Sequence, residues 1–252
     1  MAEPVSIRPP RDVSLDGRLV DGAFGYLTLT TGICFAIVLV VLAIVVLFHR
    51  HRGGKRAALY THGDRPRHHV LTLATAIAMF LGIDAVLAGR SMGHLQARFW
   101  RYPDNDPQAV RVEVTGRQWA WTFRLPGPDG NFGTRDDVVT VNELRVPTDR
   151  PIYLKLRSKD VIHSLYLPSY RTKIDAVPGS TTKLWFQARE AGRTELGCAQ
   201  HCGVSHTRMR GELFAMPAAE WTAWVARAVE DARLRFVADP SIGLDGWDWD
   251  QG

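Results

Sequence analysis

From Ala23 to Phe48 no residue carries a charge, and Ile33 to Phe48 is almost wholly Ile, Val, Leu, Ala and Phe. A helix needs about 20 apolar residues to cross a hydrocarbon core, so this run predicts a membrane span. A signal peptide fits less well. The apolar block is too long, Asp12, Asp16 and Asp21 precede it, and no small-residue cleavage site follows. A second apolar run, from Val70 to Ala88, is interrupted only by Asp84 and predicts a second span. An ionisable residue inside a span is costly and faces protein or water; Asp84 lies near one end and can reach the interface. Between the runs come His49, Arg50, His51, Arg52, Lys55 and Arg56, then Arg65 and Arg67. Short basic loops stay cytoplasmic, although Arg8, Arg11 and Arg18 also flank the first span and make the asymmetry modest. The expectation is an external segment over residues 1–22 and a helical hairpin over 23–90 with a cytoplasmic basic loop. Everything later is exported. Basic clusters of this size beside a span are topology signals, so no nucleic-acid partner is expected.

Residues 91–107, rich in Pro, Asp and Asn, are expected to be a linker without regular structure. Alternation then takes over at Val110, Val112 and Val114, at Trp119, Trp121 and Phe123, and at Ile152, Leu154 and Leu156. Period two with β-branched and aromatic residues marks half-buried strands. Short strands broken by Pro and Gly turns predict a Greek-key sandwich or small barrel over residues 108–216. Past Pro217 the period lengthens, with Trp221, Trp224, Val225 and Ala228 on one face among charges. That is the pattern of a surface helix. It shares residues 217–252 with an acidic, aromatic tail from Asp245 to Gly252, to which no function attaches. The fold class is a membrane-anchored all-β chain: two-helix hairpin, exported β-domain, C-terminal helix.

Composition changes this picture little. A chain of 252 residues suits one or two domains, and its net charge of +5 comes partly from the basic loop. Its cysteines, Cys34, Cys198 and Cys202, are too few for a disulfide framework. Cys34 lies in an apolar run and reads as a small packing residue. The other two open the candidate chemistry. Between Cys198 and Met209 the chain places two thiols (Cys198, Cys202), an imidazole (His206) and a thioether (Met209), with His163 upstream. Soft sulfur mixed with imidazole selects copper over magnesium, calcium or manganese, and the thioether tilts the choice away from zinc. Steps of four, four and three between positions 198, 202, 206 and 209 would also line one helix face. Gly197, Gly203 and Gly211 punctuate the run, however, and favour a loop between two strands. A structural Cys2His2 zinc site has these ligand types but a different spacing.

The stretch from His163 to Pro168, the Lys173, Asp175, Pro178 and Gly179 segment, the cysteine loop and the aromatic segment Gly116 to Trp121 resemble cytochrome c oxidase subunit II. The likeness runs from the first span to near Trp224. It implies a cupredoxin fold carrying a dinuclear copper (CuA) centre. Cys198 and Cys202 would each bridge both metals, His163 and His206 would bind one each, and Met209 and the backbone carbonyl of Gln200 would be weak axial ligands. It also implies that Trp119 receives electrons from a cytochrome c or other c-type haem donor, for delivery to a haem-containing catalytic subunit I. The membrane would be the bacterial cytoplasmic one, with both termini and the copper domain on the outer side. Trp121 reads as a core aromatic, His201 as exposed or supporting, and Lys173 and Asp175 as setting a fold-back at the subunit junction.

Two departures stand out. The family usually has Glu where this chain has Gln200, and that carboxylate helps bind magnesium at the junction; magnesium prefers carboxylate and water, so this site is left unassigned. Many bacterial oxidases open their second helix with a Glu at a proton path, whereas His68, His69, Val70, Leu71 and Thr72 offer no carboxylate. These gaps keep a nitric oxide reductase with the same copper subunit as the alternative, with a membrane-anchored copper chaperone behind it. The segment from Asp129 to Asp137 has the composition of a calcium loop without EF-hand spacing, and Gly-Asp-Asn clusters also make plain turns. No calcium is expected.

Overall fold

The structure is a computed structural model that describes residues 9–49, 62–63 and 65–238. The basic loop at 50–56 and the acidic tail from Asp245 onward lie outside the described residues. Two compact units emerge. Leu19–Trp100 form one, and the segment up to Arg18 belongs with everything from Arg101 onward in the other.

In the first unit, α1 runs Gly17–His49. A second helical stretch follows as α2 (Pro66–Met79), a π segment Phe80–Asp84, α3 (Ala85–His94) and a π segment Leu95–Phe99. Within the spans Gly17–Phe48 and Pro66–Phe99, 18-residue windows have mean hydropathies of 3.1 and 2.2, and none of either window is buried. Helices apolar all round with nothing covering them suit a bilayer. Several of their hydroxyls are satisfied by backbone carbonyls, as a lipid environment favours. Thr28 and Thr30 donate to the carbonyls of Phe24 and Tyr26, at 2.8 and 2.9 Å. Tyr26 donates across to Gly82 within the π segment that contains Asp84.

Both ends of the hairpin differ from expectation. α1 begins at Gly17 because Asp12 and Ser14 cap it. Asp12 Oδ1 accepts the Ser14 N–H and hydroxyl at 3.0 and 2.7 Å, and Ser14 Oγ takes the Gly17 N–H at 2.7 Å. At the far end the helix passes the anticipated stop at residue 90 and continues to Phe99, so the expected linker from 91 is half helical. Gly89 and Gly93 did not stop it; the first proline after Pro66 is Pro103.

The second unit is all-β until its last helix. Among the described residues ten strands, β1 (Val110–Arg117), β2 (Ala120–Leu125), β3 (Val138–Val141), β4 (Glu143–Pro147), β5 (Pro151–Ser158), β6 (His163–Leu167), β7 (Thr172–Ala176), β8 (Thr182–Gln187), β9 (Gly192–Cys198) and β10 (Arg210–Met216), form two five-stranded sheets. Their orders are β3-β2-β1-β5-β8 and β4-β10-β9-β6-β7. Edge strands β3 and β4 touch, as do β7 and β8, closing the pair into a flattened barrel. β1–β5 and β4–β10 pair in parallel, the mark of crossovers between sheets. Val112, Val114, Trp121, Phe123, Leu154 and Leu156 from one sheet meet Leu144, Val146, Leu165, Leu196 and Leu213 from the other, all fully buried. Each such side chain contributes about 1.5–3 kcal/mol. The predicted alternation falls in β1, β2 and β5, with one exception: Trp119 is not in a strand but sits with Gln118 in the tight turn between β1 and β2, where Arg117 pairs with Ala120.

Helix α4 (Ala218–Ala238) covers one flank. Trp221, Trp224, Val225 and Ala228 pack on the core, and Val229 is buried. Arg145 stacks on Phe214 and Trp224 at 5.0 and 5.4 Å, and Arg150 on Trp221 at 5.4 Å. The N-terminal segment straps the barrel through Val13 N–H to Ser169 (3.0 Å), Leu15 N–H to Gln187 (3.0 Å) and Arg189 N–H to Val13 (2.9 Å). The segment from Asp129 to Asp137 is a turn whose carboxylates are already engaged. Asp137 takes the Gly133 N–H at 2.7 Å and faces Arg124 at 3.2 Å, and Asp136 takes the Thr134 hydroxyl at 2.8 Å.

Candidate metal centre

One end of the barrel brings together the start of β6 and the β9–β10 loop. His163 opens β6, Cys198 closes β9, and residues 199–209 form the tip of the β9–β10 hairpin. Backbone bonds fix the tip at its base: Cys198 N–H to Met209 O at 3.1 Å and Ala199 N–H to Ser164 O at 2.9 Å. Only His206–Arg208 make a short 3-10 turn, so the tip is a loop and not a helix face.

Side chains converge inside it. Ligating atoms of His163, Cys198 and Cys202 lie within 4.8 Å of one another. The Cys198 thiol donates to the Gln200 carbonyl at 3.2 Å and lies 3.8 Å from Cys202 Sγ. Cys202 Sγ is 3.5 Å from His206 Nδ1 and 3.7 Å from Met209 Sδ. All six atoms named from the sequence therefore meet in one place. His163, Cys202 and Met209 are buried, whereas Cys198 and His206 are half-buried. Burial, and then the neighbouring Cys198, push the Cys202 thiol up to about 11. Without a metal it stays protonated at neutral pH, so metal uptake must expel a proton and tightens as pH rises.

The donor set fits a soft transition metal. His163 Nδ1 is buried and makes no hydrogen bond. An unsatisfied buried polar atom costs about 1–3 kcal/mol, and an electron-pair acceptor beside the sulfurs would relieve it. Two sulfurs, two imidazoles and a thioether match copper or zinc, and not magnesium or calcium.

Around this set the barrel supplies room and anchors. A Cβ added at Gly116 would come within 3.0 Å of His163 Cδ2 and 3.1 Å of Trp121 Cζ3, so glycine makes space for the imidazole. Trp121 meets the same ring edge-on at 5.9 Å between centroids. Trp119 is 37 % exposed, and its indole N–H donates to the Cys202 carbonyl at 3.2 Å. Gln118 Nε2 donates to that same carbonyl at 2.8 Å. His201 is exposed, with its ring 5.6 Å from that of His206. Lys173 and Asp175 are exposed on β7, and the Gln200 side chain is exposed too.

Sequence reasoning passed over Asp160. Its Oδ1 lies 2.7 Å from His163 Nε2, and its Oδ2 takes the Gln118 N–H at 2.6 Å. Burial raises its pKa, but the Gln118 N–H and the His163 ring outweigh that and hold the carboxyl below its ordinary value. A carboxylate three residues before a candidate histidine ligand was the available signal.

Comparison with known proteins follows the same lines. Residues 110–213 match the family described as Cytochrome C oxidase subunit II, periplasmic domain. Alternative cytochrome c oxidase subunit 2 of Bradyrhizobium diazoefficiens is 33% identical over 218 residues, spanning 77% of this chain and 75% of that protein. Cytochrome c oxidase subunit 2 of Synechocystis is 26% identical over 256 residues, spanning 86% of this chain and 74% of that one. Among solved structures, the periplasmic domain of subunit II of cytochrome oxidase (CoxB) of Bradyrhizobium japonicum aligns with a TM-score of 0.43 at 29% identity, covering 48% of this chain and 94% of that one. With apolar helices ahead of a β-domain of this kind, the chain belongs to the cytochrome c oxidase subunit 2 family, as a membrane-anchored subunit II of a haem-copper oxidase.

Proposed function

We propose that the chain is the electron-entry subunit of its oxidase, taking electrons from cytochrome c and handing them to the haem-containing subunit I for oxygen reduction. The observation that carries this reading is the convergence of Cys198, Cys202, His163, His206, Met209 and the Gln200 carbonyl at one barrel end. Cys198 and Cys202 would hold two copper ions between them, with His163 and His206 binding one each. Met209 and the Gln200 carbonyl would be the weak ligands. When bound, such a pair supplies a one-electron store whose charge is shared across both metals.

The chain's own residues set the conditions for that store. A ligand set carried on β6 and on the β9–β10 tip is braced by the barrel, so oxidation and reduction displace it little. Burial of Cys202, Met209 and His163 keeps water from them. Trp119 reaches the surface while its N–H holds the Cys202 carbonyl, which makes it the proposed entry point. The spans would sit in the lipid of the bacterial cytoplasmic membrane, with both termini and the copper domain outside. Magnesium at the subunit junction is not assigned, because Gln200 brings no carboxylate.

Copper stoichiometry tests the proposal: two tightly held ions per purified chain are expected, and a single exchangeable Cu(I) would indicate copper delivery instead. Two variants refine it. Met209→Leu conserves volume, costs less than about 1.5 kcal/mol, and is expected to keep both coppers while shifting the reduction potential. Trp119→Ala is expected to leave copper content and absorption unchanged but to slow reduction by cytochrome c in stopped-flow mixing. Equal rates would remove Trp119 from the path.

A further inference from the structure

We infer that Asp160 is the positioning residue of this centre, fixing the tautomer of His163 and locking the Trp119 turn to the cysteine loop. The inference rests on the copper reading for its purpose, but its geometry stands without any metal. An ionised carboxylate can only accept hydrogen bonds. With Asp160 Oδ1 2.7 Å from His163 Nε2, Nε2 must carry the ring proton. In the neutral imidazole Nδ1 then keeps its lone pair, and Nδ1 is a buried atom that makes no hydrogen bond. Metal-bound histidines are commonly oriented in this way by a carboxylate on the other nitrogen.

Oδ2 does a second task. It accepts the Gln118 N–H at 2.6 Å, and Gln118 Nε2 and Trp119 Nε1 both donate to the Cys202 carbonyl, at 2.8 and 3.2 Å. One carboxylate thus connects a ligand on β6, the β1–β2 turn and the cysteine loop. Asp160 is itself held in place. Its Oδ1 also takes the Val161 N–H at 2.7 Å, its own N–H donates to Ser158 Oγ at 3.2 Å, and the neighbouring Lys159 N–H donates to Gly116 O at 3.0 Å. The clamp has a rigid base and lies partly at the surface, with 31 % of the Asp160 side chain exposed. Substitution therefore leaves the core untouched.

The test uses the full chain in detergent, labelled with 15N-histidine, with His163→Gln to assign the resonance. In the metal-free wild type His163 is expected as a single Nε2–H tautomer, and in Asp160→Ala as a mixture. After copper loading, Asp160→Ala is expected to bind about 10–100-fold more weakly. Asp160→Asn, which keeps an acceptor oxygen but no charge, is expected to retain copper at a higher reduction potential with altered histidine nitrogen couplings. An unchanged tautomer in Asp160→Ala together with unchanged copper affinity would overturn the inference and leave the copper reading intact. If the wild type took up no copper pair, the copper reading would fail, and the metal-free tautomer would still decide the role of Asp160.

Discussion

Cys202→Ser is expected to abolish the metal pair while leaving the chain folded. Cys202 Sγ is the hub of the centre, lying 3.8 Å from Cys198 Sγ, 3.5 Å from His206 Nδ1 and 3.7 Å from Met209 Sδ. Serine is nearly isosteric but is a hard, weakly acidic donor that does not supply the soft anion copper favours. With one sulfur gone, Cys198 would be the single thiolate left to hold both metals. The fold should tolerate the change, because the backbone around Cys202 is held by Gln118 and Trp119 through its carbonyl, not its side chain. Burying a hydroxyl at a site that is 2 % exposed costs about 1–3 kcal/mol if it finds no partner. Elemental analysis and visible absorption check the outcome: copper content at or below one per chain, with far-ultraviolet circular dichroism unchanged. A full complement of two coppers with the wild-type spectrum would remove Cys202 from the centre.

Gly211→Ala is expected to have the largest purely structural effect. A Cβ there would sit 2.3 Å from the backbone oxygen of Asn142 and 2.8 Å from its carbonyl carbon. That carbonyl cannot swing aside cheaply. It accepts the Glu212 N–H at 2.9 Å, while the Asn142 N–H and Oδ1 hold Trp121 O and the Trp121 N–H at 2.7 and 2.8 Å. Asn142 therefore staples β2 to β10 from the corner between β3 and β4, with φ at 56°. Relieving the clash must break one of these bonds or displace β10, two residues beyond Met209. Overpacking of this kind costs about 3 kcal/mol, which for a chain of this size lowers the thermal midpoint by about 6–12 °C. Thermal unfolding of the purified chain measures it, and an unchanged midpoint would show that the corner yields freely.

The chain's plan was legible where chemistry is periodic. Twenty-residue apolar runs and period-two alternation announce their own partners, lipid in one case and a facing sheet in the other. The site was legible for a related reason: Cys198, Cys202, His206 and Met209 lie on one short loop, so their meeting is nearly local. What escaped was tertiary. Trp119 continued the alternation of Trp121 and Phe123, and only the pairing of Arg117 with Ala120 puts it in a turn, exposed beside Cys202. Asp160 looked like one more loop carboxylate until the fold carried it against Gln118, a residue 42 positions away. The helix ending at Phe99 was missed because the Pro, Asp and Asn that marked a linker cluster at 103–107, beyond the helix end, while Gly89 and Gly93 cost only about 1 kcal/mol each inside it.

Electron paramagnetic resonance of the copper-loaded, one-electron-oxidised full chain tests the central claim most directly. A single unpaired electron shared over two sulfur-bridged coppers gives hyperfine splitting from both nuclei equally, and that pattern is expected. A spectrum of one isolated Cu(II), or none at all from a chain that holds copper, would contradict it.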